Sequence, residues 1–486
     1  MNDIKVIFTD ENIHKIFGHE AAEDENSERL QEYYLKNEIY DRITANLPLR
    51  ILVGHKGIGK SALFKIAIAE DKYKGILPIY IRPDDLIGIG KEKNDFLETI
   101  REWKIGLKSI ITAKVLEYAE IDPESEIYSK IKTYSGKIVN FVTDTFTYIK
   151  EKLNLNQAQE IIISSYLKNK KINIYIDDLD RGWESKKSDI QNLSALLNAI
   201  RDMSNDNPGL NFKISLRSDV YYLVRTSDES TDKIEGSVVW YTWTPHEILL
   251  LLIKRIQTYL GNDFNIDSFR HLQQSQLARY LDYVFEPKFT GIGKWSDIAV
   301  YKVLMSMIRK RPRDLVKLCT LAAKRAHNLK QNKINTESLR SIFEEYSQGR
   351  IQDTINEFKS ELPKIESLLL GMKPTKKTLK ASENYIFTTQ QLLAKLNNIM
   401  MHSDFKFANG RSATARELLQ FLYKINFLTA RKLTESGEID RKDFEENRYL
   451  SNQFVDFGYD WEIHPAYRWA LQPDSIEDIF YKLDIR

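Results

Sequence analysis

Apolar residues gather first at Leu49–Val53, a run too short for a helix, and comparable runs recur at Gly75–Arg82, Lys171–Ile176, Leu210–Leu216 and Ser237–Trp243. Runs that are continuous rather than alternating predict strands of a parallel sheet covered on both faces. Between them the apolar spacing turns helical. One helix is predicted over Ser27–Thr44, with Leu30, Tyr33, Tyr34, Ile39, Tyr40 and Ile43 on one side, and another over Asp189–Met203. Residues 95–170 read as mostly helical and amphipathic, with Trp103, Leu107, Ile110, Ile111, Val115 and Leu116 as one face. From Pro245 onward the pattern stays helical, through Glu247–Tyr259 and a helix opened by Pro312, to a long helix ending near Leu370. Helices at Thr388–Met400 and Ala413–Ile425 then precede Phe427–Arg431 and Trp461–His464 as hairpin strands, the element order of a winged helix.

These elements predict an α/β chain in five parts. Residues 1–48 form a helical lead-in; in 49–245 the stretch Gly54-x4-Gly59-Lys60-Ser61 between a strand and a helix predicts a P-loop NTPase core, a parallel sheet with helices on both faces and a helical insertion at about 95–170. Residues 246–345 form a helical lid, 346–384 a helical connector containing the lysine-rich stretch Lys373–Lys380, and 385–486 a winged-helix-like domain. The aromatics of the lead-in are expected to pack on the core, with Phe17-Gly18 or one of those rings walling an adenine pocket as the alternative.

Composition narrows the function classes. The 486 residues suffice for several domains with large cores, and the formal charge of +2 provides no strong field for nucleic acid, so any basic surface must be local. Cys319 is the sole cysteine, which excludes an intramolecular disulfide, and its apolar helical setting predicts a small buried residue rather than a nucleophile. The amino terminus lacks the apolar core of a signal peptide, and the longest apolar run, Ile248–Ile253, is too short to span a bilayer. A cytoplasmic protein with no membrane partner is expected.

The chemistry concentrates at the carboxyl ends of the predicted strands. Gly54, Gly59, Lys60 and Ser61 satisfy G-x-x-x-x-G-K-[ST], with a strand before and a helix after, so Gly54, Gly57, Ile58, Gly59, Lys60, Ser61 and Ala62 are the candidate nucleotide contacts. Backbone N–H groups of such a loop curl around an anion, the helix start adds its positive dipole end, Lys60 reaches the terminal phosphates of ATP, and Ser61 ligates Mg²⁺. The strand ending in Ile176-Asp-Asp-Leu-Asp-Arg181 places Asp177 to hold the metal's water shell and Asp178 to polarise the attacking water, with Asp180 as the alternative for that role. Arg217, ending the next strand, is read either as a phosphate sensor or as a partner of Asp219 or Asp180. Arg311 and Arg313 flank Pro312 at a helix amino end, where cations oppose the dipole unless an anion offsets them. A nucleotide phosphate would be such an anion; a solvated cluster, or one facing nucleic-acid phosphates, is the other reading.

Taken together, the loop, the Ile176–Arg181 strand end, Arg217 and Arg-Pro-Arg313 resemble the AAA+-related ATPases of the STAND and KAP type. Phe17-Gly18 with Ala22-Glu23-Asp24, followed by the Gly-His-Lys-Gly-Ile-Gly-Lys-Ser-Ala-Leu loop, is similar to a bacterial P-loop ATPase family encountered among phage-defence genes. The resemblance covers about residues 15–325. It implies ATP-dependent homo-oligomerisation, with Arg217 as first sensor and Arg313 as lid sensor, and slow turnover, because Asp178 stands where vigorous AAA+ motors carry glutamate.

In the last domain Glu435, Glu438, Asp440, Asp443, Glu445 and Glu446 are expected to crowd the wing tip and repel phosphates, favouring protein contact or autoinhibition over DNA binding. His464 precedes Pro465 with no second ligand type nearby, which predicts a packed or capping histidine. No nuclease, protease or deaminase signature appears, so the expected role is a slow ATPase switch acting on a separate effector protein, in antiviral defence. An initiator-like DNA-binding ATPase is the alternative.

Overall fold

The computed structural model describes residues 6–90, 95–118, 171–227, 229–262, 264–374, 385–434, 439–448 and 458–471. The expected helices after residue 118, most of the lysine-rich connector, and Glu435 and Glu438 lie outside the described residues. The chain forms two compact units, one of Lys36–Lys56 and Lys60–Tyr241, the other of Met1–Leu35, Gly57–Gly59 and Thr242–Arg486.

In chain order the elements up to the last strand of the main sheet are α1 (Asp10–Phe17), α2 (Ser27–Tyr33), α3 (Glu38–Thr44), β1 (Leu49–Val53), α4 (Lys60–Tyr73), β2 (Leu77–Ile81), α5 (Phe96–Tyr118), β3 (Ile172–Ile176), α6 (Lys187–Asp206), β4 (Leu210–Leu216), α7 (Ser218–Ser227) and β5 (Val238–Trp240). The single helix expected over Ser27–Thr44 is two. Tyr34 leaves helical geometry, and the Asn37 side chain accepts from the Tyr40 amide at 3.2 Å to start α3. A short polar side chain that satisfies an orphan amide makes a helix start cheaper than a helix interior.

The first unit is built on a parallel sheet in the order β2-β3-β4-β1-β5. Its register sets Ile51 beside Ile214, Ile214 beside Ile176, and Ile176 beside Ile81. Side chains of this row share one face, where they pack with Trp103, Leu107, Ile111 and Val115 of α5 and Leu196, Leu197 and Ile200 of α6. The opposite face, toward α3 and α4, is half polar. Tyr175 meets the Phe64 ring edge-on at 5.3 Å and donates to Asp71 at 2.6 Å, Asn173 donates to Asp71 at 2.7 Å, and the Lys213 ammonium donates to the carbonyls of Ile43 (2.8 Å) and Ala45 (3.1 Å). Lys213 therefore closes the carboxyl end of α3, where a cation complements the helix dipole. Because every strand points the same way, Gly54, Asp177 and Arg217 leave the sheet at one edge, the edge at which open α/β sheets hold ligands.

The second unit contains α1 and α2 together with α8 (Pro245–Tyr259), α9 (Val300–Met307), α10 (Pro312–Asn328), α11 (Phe343–Phe358) and α12 (Ile365–Gly371). Pro363 separates α11 from α12 where one long helix was expected, since proline removes an amide and clashes with the preceding turn. Cys319 is fully buried in α10, and burial pushes its thiol up, away from nucleophilic chemistry. Among the described residues no helix is long and apolar enough to cross a membrane.

The carboxyl-terminal part comprises β6 (Ile386–Phe387), α13 (Thr389–His402), α14 (Ala415–Lys424), β7 (Leu428–Leu433), β8 (Ile439–Lys442), β9 (Asp460–Ile463) and α15 (Pro465–Leu471). Its antiparallel sheet runs β8-β7-β9-β6, with Ala430 opposite Trp461. The two strands expected to form the hairpin are neighbours, and β8 adds to the outer edge. The arrangement of helices and strands is winged-helix-like. The helix that reads bases in such domains is the second. Here α14 buries Leu418, Leu419, Phe421, Leu422, Tyr423 and Lys424, the last in an ion pair with buried Glu361.

Two predictions follow from packing. Gly18 ends α1 with φ 75° and ψ −177°, and a Cβ there would lie 2.7 Å from the Tyr33 hydroxyl, 3.1 Å from Arg255 and 3.2 Å from Glu25. Gly18→Ala should cost ~2 kcal/mol or more in urea unfolding; a loss below a few tenths would contradict the packing described.

Burial pushes the Lys213 ammonium down to about 8, partly opposed by Asp71 and reinforced by Arg50. The unfolded chain keeps this proton to about pH 10.4. Between about pH 8 and 10 unfolding therefore takes up a proton, and stability rises with pH by at most ~1.4 kcal/mol per unit from this group. Against Lys213→Met, the wild type should gain relative stability across that window; parallel pH profiles would remove the assignment.

Candidate functional site

The loop leaves β1 with Gly54, whose amide donates to the Leu216 carbonyl of β4 at 3.1 Å. Lys60 opens α4, and its ammonium donates to the carbonyls of Gly54 (2.8 Å) and His55 (3.2 Å), so the lysine lies along its own loop. Gly57 and Gly59 have φ of 79° and 107°, conformations that turn successive amides inward, as an anion cradle requires. Ser61 and Ala62 follow in the first turn of α4 and are partly exposed. His55 is buried, with its ring Nδ1 3.0 Å from the Ser218 hydroxyl at the start of α7.

At the end of β3, Asp177 turns inward and Asp178 outward. Asp177 is buried and accepts from the Ser215 hydroxyl and from the Asp178 amide (2.9 Å), with the Tyr80 hydroxyl farther off at 3.4 Å. Asp178 is exposed and holds a left-handed φ of 58°, a conformation that aspartate tolerates better than most residues. Asp180 is folded back toward the sheet. Burial raises its pKa, opposed by the charges of Arg217 and Lys60. Arg217 grips Asp219 through two bonds, Nε at 3.0 Å and Nη2 at 2.6 Å, and stands 3.5 Å from Asp180. Of the two readings of Arg217, this geometry displays the ion-paired one. Asp180, Asp219 and Arg217 thus form a connected electrostatic cluster that reaches Lys60 in the sheet unit.

The loop apex, Gly57–Gly59, belongs with the helical unit. The Arg313 amide donates to the Gly57 carbonyl at 3.3 Å, the Arg313 guanidinium donates to the Glu20 carbonyl at 3.1 Å, and the Trp243 indole donates to the Ile58 carbonyl at 2.8 Å. Arg309, Lys310 and Arg311 do not form a solvated cluster facing nucleic acid; Arg313 is half-buried. Arg309 and Arg311 are 6% and 2% exposed, Arg309 chelates Asp314 (2.7 and 2.8 Å), Arg311 lies 3.5 Å from Glu357, and Lys310 pairs with Asp443 (2.8 Å) and Glu446 (2.6 Å). The chain's own acids thus offset these three cations: Asp314, in the first turn of α10, for Arg309, Glu357 for Arg311, and Asp443 and Glu446 for Lys310.

The expected acidic wing tip is corrected by the same pairs. Asp443, Glu445 and Glu446 follow β8 at its far end, where they bind Lys310 or accept from Asn426, while Asp440 pairs with Lys442 and accepts from Tyr459. His464 is buried and its Nδ1 accepts from the Ala466 amide at 3.1 Å, a cap at the start of α15. Among the described residues no group of three histidine, cysteine, aspartate or glutamate side chains could hold a metal ion by itself.

A family model described as the FunZ-associated C-terminal helical domain matches residues 247–355. The chain is 23% identical over 519 aligned positions to the "Putative transposon gamma-delta 80.3 kDa protein" of Escherichia coli (strain K12), covering 96% of this chain and 70% of that one. Among solved structures it is similar to the Walker-type ATPase PABY2304 of Pyrococcus abyssi, with 13% identity, a TM-score of 0.41, and coverage of 86% of this chain and 96% of that one. It is also similar to the ORC2 protein of Aeropyrum pernix in ADPNP–ADP complexes, with 12% identity, a TM-score of 0.41, and coverage of 91% of each chain. The strand order and the loop carry the reading below.

Sequence patterns did not reveal Ser215, Trp243, Glu20 or Asp314, which hold the candidate residues in place. Ser215 had a signal: it shares with Lys213 the polar alternation of an otherwise apolar strand. The Trp243 and Glu20 contacts involve distant segments and had none.

A Cβ on Gly57 would lie 2.9 Å from the Arg313 Cβ, in addition to the left-handed φ. Gly57→Ala should therefore lower the unfolding free energy by ~1–3 kcal/mol and speed exchange of the Arg313 amide; unchanged exchange there would contradict the close contact.

Proposed function

We propose that the protein is an ATP-binding, slowly hydrolysing switch of the AAA+-like kind. The observation that carries this reading is the glycine-rich loop between β1 and α4, with Lys60 at the helix start and the acids of β3 at the same sheet edge. The residues present fit Mg·ATP. Gly57 and Gly59 adopt the conformations an anion cradle needs, Lys60 is held at the loop by bonds that a phosphate can replace, and Asp177 is a buried carboxylate fixed by a hydroxyl and an amide. In this reading Gly54, Gly57, Ile58, Gly59, Lys60, Ser61 and Ala62 bind the phosphates, Ser61 and Asp177 hold Mg²⁺, and the metal supplies charge neutralisation between phosphates.

Asp178 and Asp180 divide the remaining role. Asp178 is exposed and can accept a proton from water; Asp180 is half-buried against Arg217 and within electrostatic reach of Lys60, which suits a residue that responds to phosphate. Arg217 would sense the phosphate by exchanging Asp219 or Asp180 for it, and Arg313 would act at the loop apex through Gly57.

Coupling to a separate effector, homo-oligomerisation and an antiviral setting rest on the resemblance of the loop and the Phe17-Gly18 segment. The initiator-like alternative would have to use surfaces other than Arg309–Arg311, whose cations are internally neutralised. Lys60→Ala should abolish Mg·ATP binding in titration calorimetry. Asp178→Asn should bind ATP normally and slow single-turnover hydrolysis by about 10²-fold or more. Equal affinity and turnover in wild type and Lys60→Ala would sink the reading, and slowing by Asp180→Asn alone would move the water-polarising role to Asp180.

A further inference from the structure

Within the helical unit a buried chain of bonds runs from the last described helix to the loop apex. The Tyr467 hydroxyl of α15 accepts from Arg309 Nη1 at 2.8 Å, and Thr354 of α11 accepts from the same nitrogen at 3.2 Å. Arg309 in turn chelates Asp314, which also takes Arg350 at 2.7 Å. Burial opposes ionisation of Asp314, but Arg309 and then Arg350 outweigh it and hold the carboxyl well below its ordinary range. Asp314 adjoins Arg313, whose amide donates to Gly57. The Arg309 amide also donates to Asp314 at 3.2 Å, which ties the turn between α9 and α10, with Lys310 at φ 52°, to the same carboxylate.

Helix α15 is itself locked into place. Trp469 packs at 4.9 Å from the Phe343 ring and 5.7 Å from Trp295, the Ala470 amide donates to Ser347 at 3.0 Å, and Arg468 pairs with buried Glu462 at 2.6 Å. Side chains of the Glu462–Leu471 segment are thus committed to internal contacts rather than to a free surface.

We propose that Tyr467, Arg309 and Asp314 are positioning residues for the phosphate loop, a relay by which the carboxyl-terminal domain sets the conformation of Gly57–Gly59 and so tunes nucleotide affinity. This rests on the nucleotide-binding reading given above. The relay gives a partner that displaces α15 a route to the loop without touching the nucleotide. Packed polar networks transmit such changes because losing a partner inside them is costly.

Tyr467→Phe removes only the hydroxyl, and Thr354→Val is a second variant that keeps the volume. Hydrogen exchange of the nucleotide-free protein reads the linkage directly: in either variant the Arg313 amide should exchange about ten-fold faster, while amides of α8 keep their rates. Calorimetric titration with Mg·ATP and Mg·ADP should then show a shift of about three-fold or more in the ratio of the two affinities. Unchanged Arg313 exchange in both variants overturns the relay, as does faster exchange with an unchanged affinity ratio. Lys60→Ala that binds Mg·ATP like wild type removes the nucleotide reading instead and leaves the exchange result standing as evidence of the linkage.

Discussion

A carboxylate that is almost wholly removed from water stays charged only if cations surround it, and Asp314 meets that condition with Arg309 and Arg350. The requirement organises much of the helical unit. It draws α11 and α15 onto the first turn of α10, fixes the turn before Pro312, and leaves Arg313 facing Gly57 and Glu20. Removing one member of such a set strands a buried charge at a cost of ~3–5 kcal/mol. The basic stretch Arg309–Arg313 is for this reason an internal framework with one residue, Arg313, directed at the loop.

The sheet unit obeys a different constraint. Parallel strands bury both faces, so every polar side chain among them must find a partner. Ser215 satisfies Asp177, Tyr175 and Asn173 satisfy Asp71, and Lys213 satisfies the end of α3. The same burial that makes these groups costly makes them rigid, and rigidity at the carboxyl edge holds Asp177 still beside the outward Asp178. Chemistry on phosphates depends on fixed charges of this kind, because positioning and electrostatics supply most of the acceleration.

In the carboxyl-terminal domain, whose element order is that of a winged helix, α14 sets Phe421 against Phe358 of α11 and Lys424 against Glu361, while Arg416 on its other side is exposed. The domain reaches Asp314 through Tyr467 and Arg309.

The sequence carried the parallel strands, the loop and its position between β1 and α4, because continuous apolar runs and glycine spacing are local signals of strand burial and of a tight turn. It also determined the buried character of Cys319 and the capping role of His464, each read from its immediate neighbours. The break between α2 and α3 was written locally in Asn37, and that between α11 and α12 in Pro363, but apolar spacing alone ran through both. What the charges do depends on which segments pack together. Asp314 lies only five residues from Arg309, yet its other partner Arg350, and Tyr467 and Glu357, come from segments far along the chain, and so do Asp443 and Glu446 for Lys310. A charge run looks the same whether it faces water or a buried partner, since pairing is set by which distant segments pack together.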